Sequence, residues 1–304
     1  FEKGKTYDIK IDYYEDAQGA GAQLVWVLPK ENGEEEKDPM ALSKTELAEI
    51  KSADVAIFVG GLDANWEGEE MWGRDNIEGF YRGDRTRIEL PEVQQKALTD
   101  MMETGTPVVF VLMSGSAIAF NGLEEDLPAI LMSWYPGQRG GNAVADVLFG
   151  NYNPAGRLPV TFYKSTEELA DFTDYNMRAG KGFTYRYYQG EALYPFGHGL
   201  SYANFEYSDL QIDQSELCFE DEFSVSFKVK NTGKMDGEEV VQLYIKDKKS
   251  DMWLANKQLR TFERITLAKG EEKTVTMKLK VSEDLRYYDS MLRRYAVDPG
   301  DFEI

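Results

Sequence analysis

Between Gly60 and Pro91 the chain has about thirty residues with no convincing apolar period. This stretch reads Gly-Gly-Leu-Asp-Ala-Asn-Trp-Glu-Gly-Glu-Glu-Met-Trp-Gly-Arg from Gly60, then Gly-Asp-Arg-Thr at 83–86. Three carboxylates, Glu67, Glu69 and Glu70, lie between the indoles of Trp66 and Trp72. Such a set suits sugar chemistry. Aromatic rings stack on the apolar faces of pyranoses. A carboxyl beside like charges and apolar surface has its pKa raised, so it keeps a proton near neutral pH and can hand it to a leaving oxygen. The same residues also fit a solvated acidic loop with its tryptophans packed inward, and composition alone favours that plainer reading.

Other chemistries find less support. Ser114-Gly115-Ser116 follow an apolar run, but the Gly-x-Ser-x-Gly elbow is missing and His198 is the single histidine, which argues against a serine hydrolase. Cys218, the single cysteine, can form neither an internal disulfide nor a zinc site and reads as a packed thiol at the start of a β domain. His198 between Gly197 and Gly199 reads as structural at a domain junction, and Asp84-Arg85 as a loop-holding ion pair. No Gly-x-x-x-x-Gly-Lys phosphate loop is present. With 54 acidic against 34 basic residues the formal charge is −20, a poor match to nucleic acid or an anionic membrane and compatible with a neutral ligand. No apolar run approaches the ~20 residues of a membrane span. A hydrophobic content of 42% is enough for packed cores.

The elements that must hold this loop follow from the flanking pattern. Val55–Val59, Val108–Leu112 and Ile130–Met132 are short continuous apolar runs, as in strands buried on both faces. Helical periods lie at 92–103, opened by Pro91, and at 138–149; Ser43 or Thr45 can cap a further helix through about Ser52. Strands alternating with helices indicate a parallel α/β sheet, whose ligands bind beyond the carboxyl ends of the strands. Gly137, Gly140, Gly141 and Gly150 read as turn and close-approach positions.

After about residue 204 the period becomes 2. Phe223, Val225, Phe227 and Val229 alternate with polar residues, as do Val241, Leu243 and Ile245, and Val275, Met277, Leu279 and Val281. This spacing predicts an immunoglobulin-like or fibronectin type III-like sandwich. At the other end, residues 1–28 read as a strand pair finishing a β domain, and 301–304 as a strand beginning, so both ends read as cut. No signal peptide is visible, and the first residue is not Met.

Several ordered motifs carry a family resemblance. They are the Gly-Gly-Leu-Asp opening, Trp66-Glu67-Gly68-Glu69, Gly83-Asp84-Arg85-Thr86 before Leu90-Pro91, Ser133-Trp134-Tyr135-Pro136-Gly137-Gln138 with Gly140-Gly141, Asp146–Gly150, Asn153–Pro159 and Tyr194–Tyr202. In this order they resemble the C-terminal half of glycoside hydrolase family 3, over nearly the whole chain. The resemblance implies an end of a PA14-like domain at 1–30, a mostly parallel α/β sandwich domain at 31–203 and a fibronectin type III-like β-sandwich at 204–304. It also implies a retaining exo-β-glycosidase that needs no cofactor. Aligning the family's Glu-Gly-x-Asp-Arg pattern places the acid/base at Glu69, with Glu67 as runner-up, because the family's short connection is expanded here by Met71–Gly83. Trp66 and Trp72 are the implied substrate-binding residues.

The resemblance implies that the nucleophilic Asp belongs to an N-terminal (β/α)8 barrel, absent from these 304 residues. The chain alone is therefore expected to be inactive. The resemblance implies an oligosaccharide or β-glycoside as substrate, a β-xyloside slightly before a β-glucoside, and a periplasmic or extracellular location. The competing reading is a non-catalytic carbohydrate-binding or scaffolding module.

Overall fold

An apolar run such as Val108–Met113 is stable as a strand when covered on both faces, and the rest of the α/β domain provides that cover. The computed structural model describes residues 42–68, 70–72, 78–249 and 254–304. The hairpin read at 1–28, and with it the PA14-like remnant at 1–30, lies outside the described residues.

Ser43 caps α1 (Lys44–Ser52) in a reciprocal box: its hydroxyl accepts from the Glu46 N–H, and the Glu46 carboxylate accepts from the Ser43 N–H. β1 (Ala56–Gly61) follows, then a two-residue-per-arm hairpin, β2 (Phe80–Tyr81) and β3 (Asp84–Arg85). This hairpin gives order to part of a stretch with no apolar period. α2 (Glu92–Glu103), β4 (Val108–Met113), β5 (Ala129–Met132), α3 (Gly140–Leu148) and the one-turn α4 (Thr184–Tyr187) complete the α/β part.

β1, β4 and β5 form a parallel sheet with β4 in the middle, in register from Ala56 opposite Val108 to Gly61 opposite Met113. Val108, Phe110 and Leu112 of β4 pack with Leu98 and Met101 of α2 and with Leu90, Ile118, Phe120 and Phe162 into one core. β1 is an edge strand, and Ile57 and Val59 on alternate positions are exposed.

The segment from 149 to 203, mostly without regular structure, crosses to a second core. There β6 (Phe205–Ile212), β7 (Glu222–Asn231), β8 (Gly237–Asp247), β9 (Gln258–Leu267) and β10 (Glu272–Lys280) are followed by α5 (Val281–Asp284), β11 (Tyr287–Asp289), β12 (Arg294–Ala296) and β13 (Phe302–Glu303). Two antiparallel sheets, β10-β7-β6 and β13-β8-β9, share one core drawn from the inward residues of β7, β8, β9 and β10. The architecture is thus an α/β domain followed by a fibronectin type III-like sandwich, as the sequence leads one to expect.

Four details differ. Of the three apolar runs read as strands buried on both faces only β4 is: both neighbours are edge strands, Ile57 and Val59 of β1 are exposed and no residue of β5 is buried. Val281 starts the α5 turn instead of extending β10. β9 has no clear period because only Ile265 and Leu267 are fully buried. Cys218 is exposed, since it sits in a turn where its N–H donates to the Asp221 carboxylate at 2.7 Å instead of on a strand facing the core.

At the junction Arg157 meets the buried Glu239 of β8 at 2.5 Å, and the Tyr207 hydroxyl of β6 donates to the other Glu239 oxygen at 2.9 Å. His198 serves the same junction: its carbonyl accepts from the Leu158 N–H at 2.8 Å and its ring stacks on Tyr194. Burial, reinforced by Arg157, holds its imidazole below the ordinary value.

Candidate active site

The carboxyl ends of the three parallel strands all point to one place. Past Gly61 the Leu62 N–H donates to the Met113 carbonyl at 2.7 Å, and past Met132 the Ser133 N–H donates to the Leu112 carbonyl at 2.9 Å, so both departing loops stay tied to β4. Gly61 has φ +115°, and a Cβ there would lie 1.9 Å from the Met113 carbonyl oxygen, so the crossing requires glycine. Gln94 of α2 fixes the same strand end. Its amide accepts from the Gly61 N–H and donates to the Gly61 carbonyl, at 2.7 and 2.8 Å.

From there Asp63 builds a turn. Its side chain accepts from the Asn65 N–H at 2.6 Å, and its carbonyl accepts from the N–H groups of Trp66 and Glu67. That turn delivers Glu67 to the loops after β4 and β5. The Glu67 carboxylate accepts from the Gly115 N–H at 2.9 Å, from the Ser116 hydroxyl and from the Tyr135 hydroxyl. Arg85 lies 3.8 Å away, with both side chains 13% exposed, and its guanidinium also donates to the Ser116 hydroxyl and the Ala117 carbonyl at 2.7 and 2.8 Å. Arg85 is a loop-holding residue, as its sequence context suggests, but the carboxylate it meets is Glu67, not the neighbouring Asp84.

Burial by itself would raise the Glu67 carboxyl. The hydrogen bonds from Ser116, Tyr135 and Gly115, with Arg85, outweigh it and hold the group below the ordinary carboxylate value. Tyr135 is pushed up to about 12 by burial and by the Glu67 carboxylate, so its phenol keeps its proton and donates.

The outer wall of the loop is built on the hairpin. Arg82 and Gly83 turn β2 into β3 with φ +51° and +93°, the two positive values a type I′ turn needs. A Cβ on Gly83 would come within 2.0 Å of the Gly68 carbonyl, and the Met71 N–H donates to the Arg82 carbonyl at 2.8 Å, so the hairpin lies directly against the ribbon. Trp66 is 40% exposed and meets Phe80 edge-on. Trp72 is 71% exposed, with the Arg82 guanidinium 3.9 Å over its ring and Tyr81 on that guanidinium in turn. Glu70 and Trp134, on the ribbon and on the loop after β5, are held at φ +53° and +55°, outside the region ordinary side chains prefer.

The structure therefore brings Glu67 and Trp66 to the strand ends and leaves Trp72 at the solvent edge. Glu69 lies outside the described residues. Gly115, Ser116, Tyr135 and Gln94 are the participants that sequence reasoning missed. Ser116 and Tyr135 do sit in the Ser-Gly-Ser and Ser-Trp-Tyr-Pro-Gly-Gln segments that sequence analysis singled out, and those segments were the available signal. Ser114 is fully buried and donates to the Ser116 carbonyl at 2.8 Å, so this pair supports the loop and forms no nucleophile–histidine arrangement. Among the described residues no group of three or more His, Cys, Asp and Glu could hold a metal ion, and no helix is long and apolar enough to cross a membrane.

Comparison with known proteins matches residues 11–202 to the glycosyl hydrolase family 3 C-terminal domain and residues 239–304 to a fibronectin type III-like domain. A xylan 1,4-beta-xylosidase of Xylanibacter ruminicola is 41% identical over 100% of this chain and 33% of its own length. Thermostable beta-glucosidase B of Acetivibrio thermocellus is 36% identical over 96% of this chain and 38% of its own. Among solved structures, the beta-glucosidase from Kluyveromyces marxianus in complex with glucose superposes with a TM-score of 0.72 at 30% identity, over 86% of this chain and 32% of that one. The chain spans about a third of the length of these relatives.

Proposed function

The chain belongs to glycosyl hydrolase family 3, of which it carries the C-terminal domain and a fibronectin type III-like domain, and from that premise we propose that it supplies the acid/base carboxyl of a retaining exo-β-glycosidase. In this reading a (β/α)8 barrel completes the active site and contributes the nucleophilic Asp, so the 304 residues alone are inactive. The two carboxyl groups stand about 5–5.5 Å apart, as retention requires. Glu69 protonates the glycosidic oxygen as the nucleophile attacks, then takes a proton from the water that breaks the glycosyl-enzyme intermediate. We divide the chain into an α/β domain at 31–203 and a sandwich at 204–304.

The observation that carries this reading is the fastening of the acidic ribbon onto the loops after β4 and β5, at the end of the sheet where α/β folds bind ligands. It also favours Glu69 over Glu67. A proton donor must hold its proton near neutrality and present it to the substrate. Both oxygens of Glu67 are already accepting hydrogen bonds, and its carboxyl is held below the ordinary value. Trp66 and Trp72 line the approach for the leaving portion of the substrate.

A β-xyloside is favoured slightly over a β-glucoside, in keeping with the relative at 41% identity, which is a xylan 1,4-beta-xylosidase. Secretion to the periplasm or beyond fits a polysaccharide-derived substrate, and one relative, at 34% identity, is a periplasmic beta-glucosidase.

The test uses the barrel-bearing enzyme with aryl β-xylosides and β-glucosides. Glu69→Gln should lose about 100-fold or more on substrates with poor leaving groups, and on an activated substrate, whose first step needs little acid, it should be rescued by azide with formation of a glycosyl azide. Full activity in that variant removes the assignment. A higher kcat/KM on glucosides than on xylosides reverses the sugar preference.

A further inference from the structure

Glu67 stands at the crossing of three segments that are far apart in sequence. Gly115 and Ser116, from the loop after β4, and Tyr135, from the loop after β5, all donate to its carboxylate, while Arg85 of β3, bonded to the Ser116 hydroxyl and the Ala117 carbonyl, lies 3.8 Å away. No other described carboxylate joins the loops of all three parallel strands. The donors are also of the right kind. A backbone N–H can only donate, the Ser116 hydroxyl has its oxygen occupied as acceptor from Arg85, and a phenol pushed up to about 12 keeps its proton, so the carboxylate accepts from all three, with the Arg85 charge beside it. Glu69 follows two residues later in the sequence, on the ribbon that this carboxylate fastens.

We propose that Glu67 is a positioning residue: its carboxylate clasps the ribbon to the loops after β4 and β5 and thereby sets where the acid/base group is presented to the glycosidic oxygen. The inference rests on the reading of Glu69 given above and adds to it a second carboxylate with a different task. Misplacing a proton donor by even about 1 Å impairs transfer without removing the donor. The loss should therefore grow with the basicity of the leaving group, since a good leaving group departs with little protonation. A general loosening of the fold would lower the amount of active enzyme equally for every substrate.

The experiment compares Glu67→Gln, Tyr135→Phe, Ser116→Ala and Glu69→Gln in the barrel-bearing enzyme. The substrates are 2,4-dinitrophenyl, 4-nitrophenyl and alkyl β-glycosides of the preferred sugar, each assayed with and without azide. Glu67→Gln should lose about tenfold or more on alkyl glycosides and much less on the dinitrophenyl substrate, and form no glycosyl azide. Tyr135→Phe and Ser116→Ala keep the carboxylate and remove one donor each. They should show the same leaving-group dependence with losses of about three- to tenfold. Combining Tyr135→Phe with Glu67→Gln should add little, because both act through one contact.

Azide rescue of Glu67→Gln would make it the proton donor and overturn the proposal. So would wild-type activity, or a loss equal for all three leaving groups. Should Glu67→Gln fail to fold, the Tyr135 and Ser116 variants decide: flat or absent effects in both overturn the clasp. Failure of the underlying reading looks different. In that case Glu69→Gln is fully active, whereas failure of the clasp alone leaves Glu69→Gln rescued by azide beside an unimpaired Glu67→Gln.

Discussion

The sandwich and the ribbon end of the α/β domain hold themselves together in opposite ways. In β7 every second residue from Phe223 to Asn231 is buried, and the antiparallel ladders to β6 and β10 satisfy the backbone. Its one buried side-chain amide, Asn231, donates to the Met235 and Leu267 carbonyls and accepts from the Gly233 N–H. Around Glu67 there is no period. Position is fixed by side chain-to-backbone bonds, by residues at positive φ and by glycines whose Cβ would collide with a neighbouring carbonyl. A repeating pattern supplies stability with interchangeable parts, whereas a reacting group needs a unique placement, and that takes contacts that cannot be exchanged one for another.

The contrast can be broken from both sides. Phe110→Ala removes a fully buried ring from the sheet beneath the site. It should cost about 3–5 kcal/mol in denaturant titration and also lower kcat of the barrel-bearing enzyme, since β4 carries the loop of Gly115 and Ser116. Leu267→Ala, equally buried in the sandwich, should cost about 2–5 kcal/mol yet leave kcat of the folded enzyme unchanged. Equal damage to kcat from both would erase the distinction.

Ser43→Ala, which opens the exposed capping box of α1, is expected to cost about 1 kcal/mol in the same titration and to leave the leaving-group dependence as it was. The smallest effect is on the acid limb of stability. Because the folded Glu67 carboxyl lies below its ordinary value of 4.5, its contribution is complete above that pH and is lost as the pH falls from there through the folded value. Melting temperatures between about pH 5 and pH 2 should therefore fall less steeply in Glu67→Gln than in the wild type. Parallel curves would show that the clasp adds nothing to stability.

What the sequence made legible follows the same division. Parity along 223–229 and 241–245 announces the sandwich because each inward residue is apolar whatever its partner. β9 stayed hidden because residues such as Phe262 face solvent and break the alternation. The three parallel strands were readable from their unbroken apolar runs, and Ser43 with Glu46 forms a cap that can be seen in four letters. The clasp was not readable. Glu67 meets Gly115, Ser116 and Tyr135 across 48, 49 and 68 residues, and no local rule links a glutamate to a backbone N–H at that distance. The acidic ribbon itself could be singled out only by composition, and Glu69 only by its place in a family motif.

The hairpin closing onto the ribbon has a consequence for engineering. Met71 is tied to Arg82, Gly83 abuts Gly68, and Glu67 and Arg85 are both bonded to the loop after β4. The intervening residues thus leave and return at two fixed posts. Closing a longer span between fixed ends costs only about 0.6 kcal/mol for each doubling of its length. Segments of different length and composition exchanged between Trp72 and β2, with Phe80 kept in the core, are expected to change the rim while Glu67 keeps its contacts.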